Sequence, residues 1–158
     1  MKSKIILAVF SAALLFLTGC ASLPSPEVMQ KDIKGYTLPK LPEKNKAVVY
    51  VVRPASMGFA IKFNVFVDDQ KPESEVGYTK GSQYIYFNLS PGKHTILSKA
   101  ENWAETKVDA KAGDIIFIQQ DVSMGFLMAR NELVIPKKYE GYYHVKNLTL
   151  GTIIKSEK

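Results

Sequence analysis

The sequence has few of the residues from which metal sites and nucleophilic active sites are built. It contains one cysteine and two histidines, His94 and His144. Neither histidine has a cysteine or a second histidine at the spacing that zinc sites use, and a single cysteine cannot form an intramolecular disulfide. The motifs of serine hydrolases, phosphate-binding loops and zinc proteases are also absent. We therefore expect no catalytic residue, no metal and no cofactor, and we do not expect an enzyme.

The chain has no strong excess of charge of either sign. The formal net charge is +6 at pH 7, but the basic residues are scattered. They do not form the stripe of lysine, arginine and interleaved aromatic residues that marks nucleic-acid-binding surfaces. Nucleic acid is therefore not among the expected partners.

Long apolar runs are missing too. The run at residues 5–17 is shorter than the roughly 20 apolar residues that a helix needs to cross a bilayer. Because Lys2 and Lys4 precede it, the run has the layout of a secretory signal peptide, which we place at residues 1–19. The mature chain is therefore expected outside the cytoplasm.

The cysteine ends the tetrapeptide Leu17-Thr18-Gly19-Cys20, which matches the lipobox of bacterial lipoproteins. In this pattern the signal peptidase recognises Leu17, Thr18 and Gly19, and Cys20 is then acylated, with palmitate as a typical chain. Lipidation also explains an unpaired cysteine in a secreted chain. Two or three acyl chains would hold the protein stably on a membrane. The alternative is an ordinary secretory cleavage site that happens to end in cysteine.

The residue after the acylated cysteine indicates which membrane is used. Bacterial sorting rules retain lipoproteins with aspartate at this position in the inner membrane, and here the residue is Ala21. We therefore expect anchoring in the outer membrane, facing the periplasm. Anchoring in the inner membrane and exposure on the cell surface are the alternatives.

The mature sequence changes character after Lys46. Residues 20–46 contain half of the eight prolines and no sustained apolar periodicity, which predicts a lipidated cysteine followed by a Lys/Pro-rich tether. Residues 47–158 contain short runs of β-branched and aromatic residues with a period near two, separated by turn residues. This second part is predicted to be an all-β domain, which the tether would let stand clear of the bilayer.

Individual segments of the second part indicate its architecture. Residues 48–52 are continuously apolar, as in a strand that is covered on both faces. Residues 90–93, Ser-Pro-Gly-Lys, predict a hairpin, and Pro136 is suited to begin a short C-terminal helix. With about six to eight strands, the predicted fold is a small antiparallel β-sandwich, and a partly open barrel is the alternative.

Four short segments resemble a known bacterial family. They are Val49-Tyr50-Val51-Val52-Arg53-Pro54, Val65-Phe66-Val67-Asp68, Leu89-Ser90-Pro91-Gly92-Lys93-His94 and Lys111-Ala112-Gly113-Asp114. Together with the lipobox, they make residues 47–150 similar to the lipoprotein family catalogued as domain of unknown function 2846. The resemblance implies a lipid-anchored β-domain and no established reaction.

One tetrapeptide, Ser-Met-Gly-Phe, follows a predicted strand at residues 56–59 and another at residues 123–126. If the two strands run in the same direction, these loops form one apolar patch that binds a partner or ligand. The residues of this patch are Met57, Phe59, Met124 and Phe126. The alternative is that the loops fold back and plug the end of the core.

Arg53, at the end of the first predicted strand, is a further candidate for ligand binding. Because Pro54 follows it, Arg53 is held in an extended conformation. The alternative is a structural role, in which its side chain forms an ion pair or caps exposed carbonyl groups.

These features predict a non-enzymatic, lipid-anchored envelope protein. Its domain is expected to contact another envelope component through loop tips or a sheet edge. The expected partners are the membrane, through the N-terminal lipid, and an envelope protein, with the oligomeric state left open. The alternative is a carrier or sensor of an apolar small molecule, which would be held in a pocket between the Met/Phe loops.

Overall fold

The computed structural model describes residues 23–127 and 129–158. Outside the described residues lie Met128, the predicted signal peptide and the lipobox residues Leu17, Thr18, Gly19 and Cys20. In the described part, two five-stranded sheets pack face to face, and helices cover the outer face of one sheet. The fold is a β-sandwich and not a barrel, with a short helix near the C-terminus, as the sequence predicted.

The described residues form ten strands and two α-helices, which are joined by loops. The strands are β1 (Ala47–Arg53), β2 (Phe63–Val67), β3 (Glu75–Thr79), β4 (Gln83–Leu89), β5 (Gly92–Lys99), β6 (Trp103–Ala110), β7 (Ile115–Met124), β8 (Ala129–Val134), β9 (Thr149–Leu150) and β10 (Thr152–Ile153). The helices are α1 (Pro26–Asp32) and α2 (Lys138–Asn147), and a short 3-10 helix spans Pro72–Ser74. None of the helices in residues 23–127 and 129–158 is long and apolar enough to cross a membrane.

The first sheet has the strand order β8-β7-β1-β4-β9, and the second has the order β10-β3-β2-β5-β6. The second sheet is antiparallel throughout, whereas the first contains two parallel pairs, β1 with β7 and β4 with β9. Because β1 and β7 are parallel neighbours, the chain leaves both strands at the same end of the sandwich. We call this the tip end, and we call the opposite end, where β1 begins at Ala47, the far end.

The turn at residues 90–93 reverses the chain where the sequence predicted, but the predicted hairpin is wrong. Strand β4 pairs with β1 and β9 in the first sheet, whereas β5 pairs with β2 and β6 in the second. The turn is therefore an arch that carries the chain from one sheet to the other. Pro91 and Gly92 favour a reversal of direction, but the packing of apolar faces decides which strands become neighbours.

Strand β1 lies at the centre of the first sheet and is buried along its whole length. Since successive side chains of a strand point to opposite faces, Val49 and Val51 join the core between the sheets, while Tyr50 and Val52 face outward. The outward side chains are covered by α2 and by the segment that follows α1. Strand β1 is thus covered on both faces, as its continuous apolar run predicted.

Residues 26–46, which the composition assigned to a tether, are packed against the sandwich. Met29 on α1 is buried, and Leu38 belongs to the outer apolar cluster that covers β1. The hydroxyl of Tyr50 accepts a hydrogen bond from the N–H of Lys40 at 2.8 Å and donates one to its carbonyl at 2.6 Å. This segment is therefore an extra layer of the domain, which limits a free tether to the residues before Pro26.

Candidate binding surface at the tip end

The segments that follow β1 and β7 meet at the tip end. The first segment is the loop of residues 54–62. The second consists of the end of β7 and the turn that follows it, since β7 is longer than the sequence suggested and includes Ser123 and Met124. Both segments line one depression of about 300 Å³. Its lining residues include Met57, Gly58, Met124, Gly125 and Phe126. The two Ser-Met-Gly-Phe segments therefore lie together, as parallel strands require.

Five large apolar side chains at this end are exposed to solvent. The exposed fractions are 49% for Met57, 74% for Phe59, 84% for Met124, 92% for Phe126 and 83% for Leu127. We call these five residues the tip patch. Side chains that are this exposed do not fill the core, so the alternative in which the loops plug the end of the sandwich does not apply.

Phe59 is set apart from the other four residues of the tip patch. It does not line the shared depression, and its carbonyl accepts a hydrogen bond from the N–H of Gly81, between β3 and β4, at 3.1 Å. A Cβ atom at Gly81 would lie 2.9 Å from the Cα of Phe59. The glycine therefore allows the two backbones to approach closely and to present Phe59 to solvent.

Arg53, the last residue of β1, holds the first loop from inside. Its side chain is fully buried. Nη1 donates a hydrogen bond to the carbonyl of Ile61 at 2.7 Å, and Nη2 donates to the carbonyls of Met57 and Gly58 at 2.9 and 3.1 Å. The guanidinium also lies 3.7 Å from the centre of the Phe63 ring, which is a cation–π contact.

These contacts assign Arg53 a structural role. Burial lowers the pKa of Arg53, and none of the ion pairs found in the described part of the chain includes it. Because the side chain is inaccessible, the prediction that Arg53 contacts a ligand directly is wrong. The structure agrees with the other interpretation, in which Arg53 caps carbonyl groups and positions the loop.

The β7–β8 turn is held by the neighbouring turn between β5 and β6. The carboxylate of Glu101 accepts hydrogen bonds from the N–H groups of Phe126 and Leu127, each at 2.9 Å. The side chain of Asn102 exchanges two hydrogen bonds with the backbone of Asn131, each at 2.8 Å. Glu101 and Asn102 were not predicted as site residues, because no pattern along the chain links them to a turn so far away in sequence.

The N-terminal end of the described chain also reaches the tip end. Leu23 is 60% exposed and lines a second depression, of about 260 Å³, with Pro54 and Ala55 of the first loop and Asp121 of β7. Leu23 follows Cys20 by three positions. The predicted lipidation site is therefore only three positions from a residue that lies beside the tip loops.

Residues 43–132 match the family model described as protein of unknown function, DUF2846. The match covers more than half of the chain. The chain belongs to the DUF2846 family. An uncharacterized protein of Haemophilus influenzae is 23% identical to it over 138 residues, which are 87% of this chain and 79% of that relative. The family resemblance inferred from four short segments is thus confirmed.

We call the helices α1 and α2 the helical layer of the domain. The region that matches the DUF2846 family contains the tip end but not this layer. It starts shortly before β1 and ends within β8, so it includes residues 54–62, Glu101 and the turn between β7 and β8. Helices α1 and α2 lie outside it. The family match therefore applies to the strands and loops that build the tip patch.

His94 and Asp68 lie at the far end, beside a depression of about 450 Å³. Nδ1 of His94 is 2.9 Å from a carboxylate oxygen of Asp68, and Nε2 is 3.0 Å from the carbonyl oxygen of Ser90. The second carboxylate oxygen of Asp68 accepts a hydrogen bond from the N–H of Thr95 at 3.0 Å. Both ring nitrogens of His94 thus make contacts that hold the arch between β4 and β5 against the end of β2.

The second histidine is part of the helical layer. His144 is buried on α2, and this burial lowers its pKa. Within residues 23–127 and 129–158, no three histidine, cysteine, aspartate or glutamate side chains are grouped so as to hold a metal ion. Of the surfaces in that part of the chain, the tip patch is the strongest candidate for a functional site.

Proposed function

We propose that this DUF2846 protein is a lipid-anchored lipoprotein of the cell envelope whose β-sandwich is a non-enzymatic interaction module. Cys20 carries the lipid, and the tip patch is the binding surface. The observation that carries the proposal is the exposure of five apolar side chains on loops whose backbones are held by Arg53 and Glu101.

The composition and support of the tip patch favour a binding role. Contiguous exposed apolar groups commonly mark interaction sites, and methionine adapts its shape to the surface that it contacts. Arg53 and Glu101 fix the two loops before any partner is bound. Less conformational entropy is therefore lost on binding than with a loop that has to be ordered first.

The lipobox supports anchoring at Cys20, and Ala21 favours the outer membrane with the domain facing the periplasm. Because the chain is packed from Pro26 onward, at most about 20 Å of extended chain separate Cys20 from α1. The domain is therefore held close to the membrane, and does not stand clear of it as a long tether would allow. The inner membrane and the cell surface are the alternative locations.

The histidines support a non-enzymatic role. The ring nitrogens of His94 are both engaged with oxygen atoms of Asp68 and Ser90. His144 is buried within the helical layer, out of reach of a substrate. Neither residue is placed to act as an acid, a base or a metal ligand at the tip end.

Mass spectrometry of the N-terminal peptide from membrane-purified protein tests the anchor, with Cys20→Ser as the comparison. We expect the wild-type peptide to begin at Cys20 and to carry a diacylglyceryl group with a further acyl chain on the amine. The protein should sediment with membranes, and the variant should not. A wild-type protein that is cleaved without lipid and found in the soluble fraction would overturn the proposed anchor.

The binding role of the tip patch is tested by photocrosslinking in intact envelopes. Photoreactive groups at Phe59 and Phe126 report on the patch, and one at Ala112, in the exposed turn between β6 and β7, is the matched control at the far end. We expect adducts from Phe59 and Phe126 but not from Ala112. Equal labelling from all three positions would mean that the tip patch has no binding role.

The depression between the two loops favours a second candidate function, the carriage or sensing of an apolar small molecule. Its volume of about 300 Å³ lies at the lower limit of ligand pockets. Titration of the purified protein with an apolar fluorescent dye tests this function. Saturable binding that is lost in Met124→Lys and kept in Leu41→Lys supports it, because Leu41 is exposed elsewhere, and the absence of saturable binding rejects it.

A further inference from the structure

We propose that the tip patch inserts into the surface of the membrane that holds the acyl chains of Cys20. The inference rests on the proposed anchor and names the occupant of the binding surface as the bilayer itself. The domain would then be attached at two adjacent points, the covalent lipid and the tip patch, with its sheets directed away from the membrane.

Only a short stretch of chain separates Cys20 from the loops of the tip patch. Leu23 lies beside Pro54 and Ala55, which directly precede the Ser-Met-Gly-Phe segment of the first loop. Three residues of chain reach at most about 11 Å, so the acylated Cys20 is confined to the neighbourhood of these loops. Acyl chains embedded in a bilayer therefore bring the tip end, and not the far end, to the membrane surface.

The apolar side chains at the end of β7 and in the turn after it are strongly exposed. Phe126, Met124 and Leu127 are the three most exposed large apolar side chains in the described residues, and they sit together on one turn. Segments that lie in the membrane interface bury apolar side chains about 5–10 Å into the boundary between head groups and acyl chains. Three strongly exposed apolar side chains so close together in the chain suit burial of this kind.

Backbone groups in both loops are paired with side chains of the same domain. A polar backbone group that enters an apolar layer needs an internal hydrogen-bond partner. Glu101 accepts from the N–H groups of Phe126 and Leu127, and Arg53 donates to carbonyls of the first loop, including that of Met57. The loops therefore expose apolar side chains while these backbone groups are already paired.

Basic side chains lie at the same end of the sandwich as the tip patch. They are Lys62, Lys80, Lys99 and Arg130, which the strand registers place there. The acidic side chains at this end are Glu101, which bonds the turn, and the pair of cross-strand neighbours Asp121 and Glu132. Lysine and arginine side chains at this end suit anionic head groups, and a bilayer is the occupant that the anchor already places there.

The test uses the lipidated protein, purified from membranes and reconstituted into vesicles of phosphatidylcholine and phosphatidylglycerol. Trp103 is the single tryptophan of the chain, and Trp103→Phe removes it. Phe59→Trp, Phe126→Trp or Ala112→Trp is then introduced separately in that background. Ala112 is the control because it precedes β7, whose ten residues separate it from the tip turn by about 33 Å.

Lipids that carry bromine on the acyl chains close to the head group quench tryptophan on contact. We expect about a twofold loss of fluorescence at positions 59 and 126 and no loss at position 112, since only the tip end reaches the interface. Protein that floats with the vesicles but shows no quenching at 59 and 126 would overturn the inference and leave the anchor intact. Protein that does not float would overturn the proposed anchor, and the inference with it.

The envelope crosslinking distinguishes the bilayer from other occupants. Lipid adducts from Phe59 and Phe126 support the inference. A discrete crosslinked protein, or a second copy of this chain, would assign the tip patch to a protein interface and overturn it.

Discussion

The two ends of the sandwich are held by the same kind of contact but present different surfaces. At the far end Asp68 and His94 bond the backbone of the arch, and the outer surface includes polar groups such as Lys93. At the tip end Arg53 and Glu101 bond the loops in the same way, and apolar side chains lie outside. The exposed apolar surface is therefore carried by bonded loops, and is not a consequence of loose packing.

Removing the buried guanidinium of Arg53 should lower the free energy of unfolding more than the substitutions described below. In Arg53→Met, the carbonyl groups of Ile61, Met57 and Gly58 lose the buried guanidinium that donates to them. We expect the free energy of unfolding to fall by about 3 kcal/mol, as for other losses of a buried polar network. Urea denaturation measures this change.

The matched control is Arg130→Met, because Arg130 is exposed at the same end of the molecule. Its stability should stay within about 0.5 kcal/mol of the wild type. If the two variants were equally stable, Arg53 would not be holding the first loop. Hydrogen exchange of residues 54–62 should also increase in Arg53→Met only.

The next largest loss of stability is expected when a carboxylate is replaced by an amide, at Glu101 for the tip end and at Asp68 for the far end. Each carboxylate oxygen of Glu101 accepts a hydrogen bond from a backbone N–H. In Glu101→Gln an amide NH₂ faces one of these N–H groups, which then has no acceptor. We expect a loss of about 1–2 kcal/mol, the usual consequence of leaving a donor unpaired. Asp68→Asn should cost less, because its amide oxygen still accepts from Thr95 while its NH₂ faces the ring nitrogen of His94.

Denaturation of both variants checks this order. Amide exchange of Phe126 and Leu127 should accelerate in Glu101→Gln and stay unchanged in Asp68→Asn. An equal loss of stability in the two variants would contradict the proposed difference between the ends.

The sequence predicted features that depend on local pattern. The continuous apolar run of β1 indicated a strand covered on both faces, and the repeated Ser-Met-Gly-Phe motif indicated two related loops. It did not predict the pairing partners, so the turn at residues 90–93 was interpreted as a hairpin and β3 was not identified. Strand β3 contains Gly77, which weakens a strand pattern but here lets the backbone of Thr152 approach closely.

The contacts that hold the site were beyond local pattern for a different reason. Arg53 was recognised, but its burial depends on how the loop of residues 54–62 folds over it. Glu101 bonds a turn that is 25 and 26 positions away, which no periodicity indicates. The packing of residues 26–46 was missed because Met29 and Leu38 are isolated apolar residues in a segment rich in lysine and proline.

A smaller effect, limited to acid pH, is expected from the buried histidine of the helical layer. Burial lowers the pKa of His144 below its ordinary value of 6.5, although Glu140 and Asp121 partly oppose this. The unfolded chain therefore takes up a proton more readily than the folded protein does. The stability that depends on neutral His144 is fully present at a pH above the ordinary pKa of histidine, and it is lost as the pH falls below that pKa.

Denaturation at about pH 7.5 and about pH 5.5, on either side of the ordinary histidine value, measures this effect in the wild type and in His144→Gln. The loss of stability on acidification should be smaller in the variant, since other titrating groups contribute equally to both proteins. Equal losses would show that His144 does not carry this pH dependence.

The smallest effect on stability, and the sharpest contrast with Arg53, is expected from Phe126→Ala. The Phe126 side chain is 92% exposed, so its removal should change the free energy of unfolding by less than about 0.5 kcal/mol. In lipidated protein on vesicles, the same change should reduce the quenching of Phe59→Trp by brominated lipid, because less apolar surface then enters the interface. Leu41→Ala, which removes another exposed apolar side chain, should alter neither quantity. If Phe126→Ala destabilised the fold as Arg53→Met does, the tip patch would be part of the core, and its exposure would not be a binding surface.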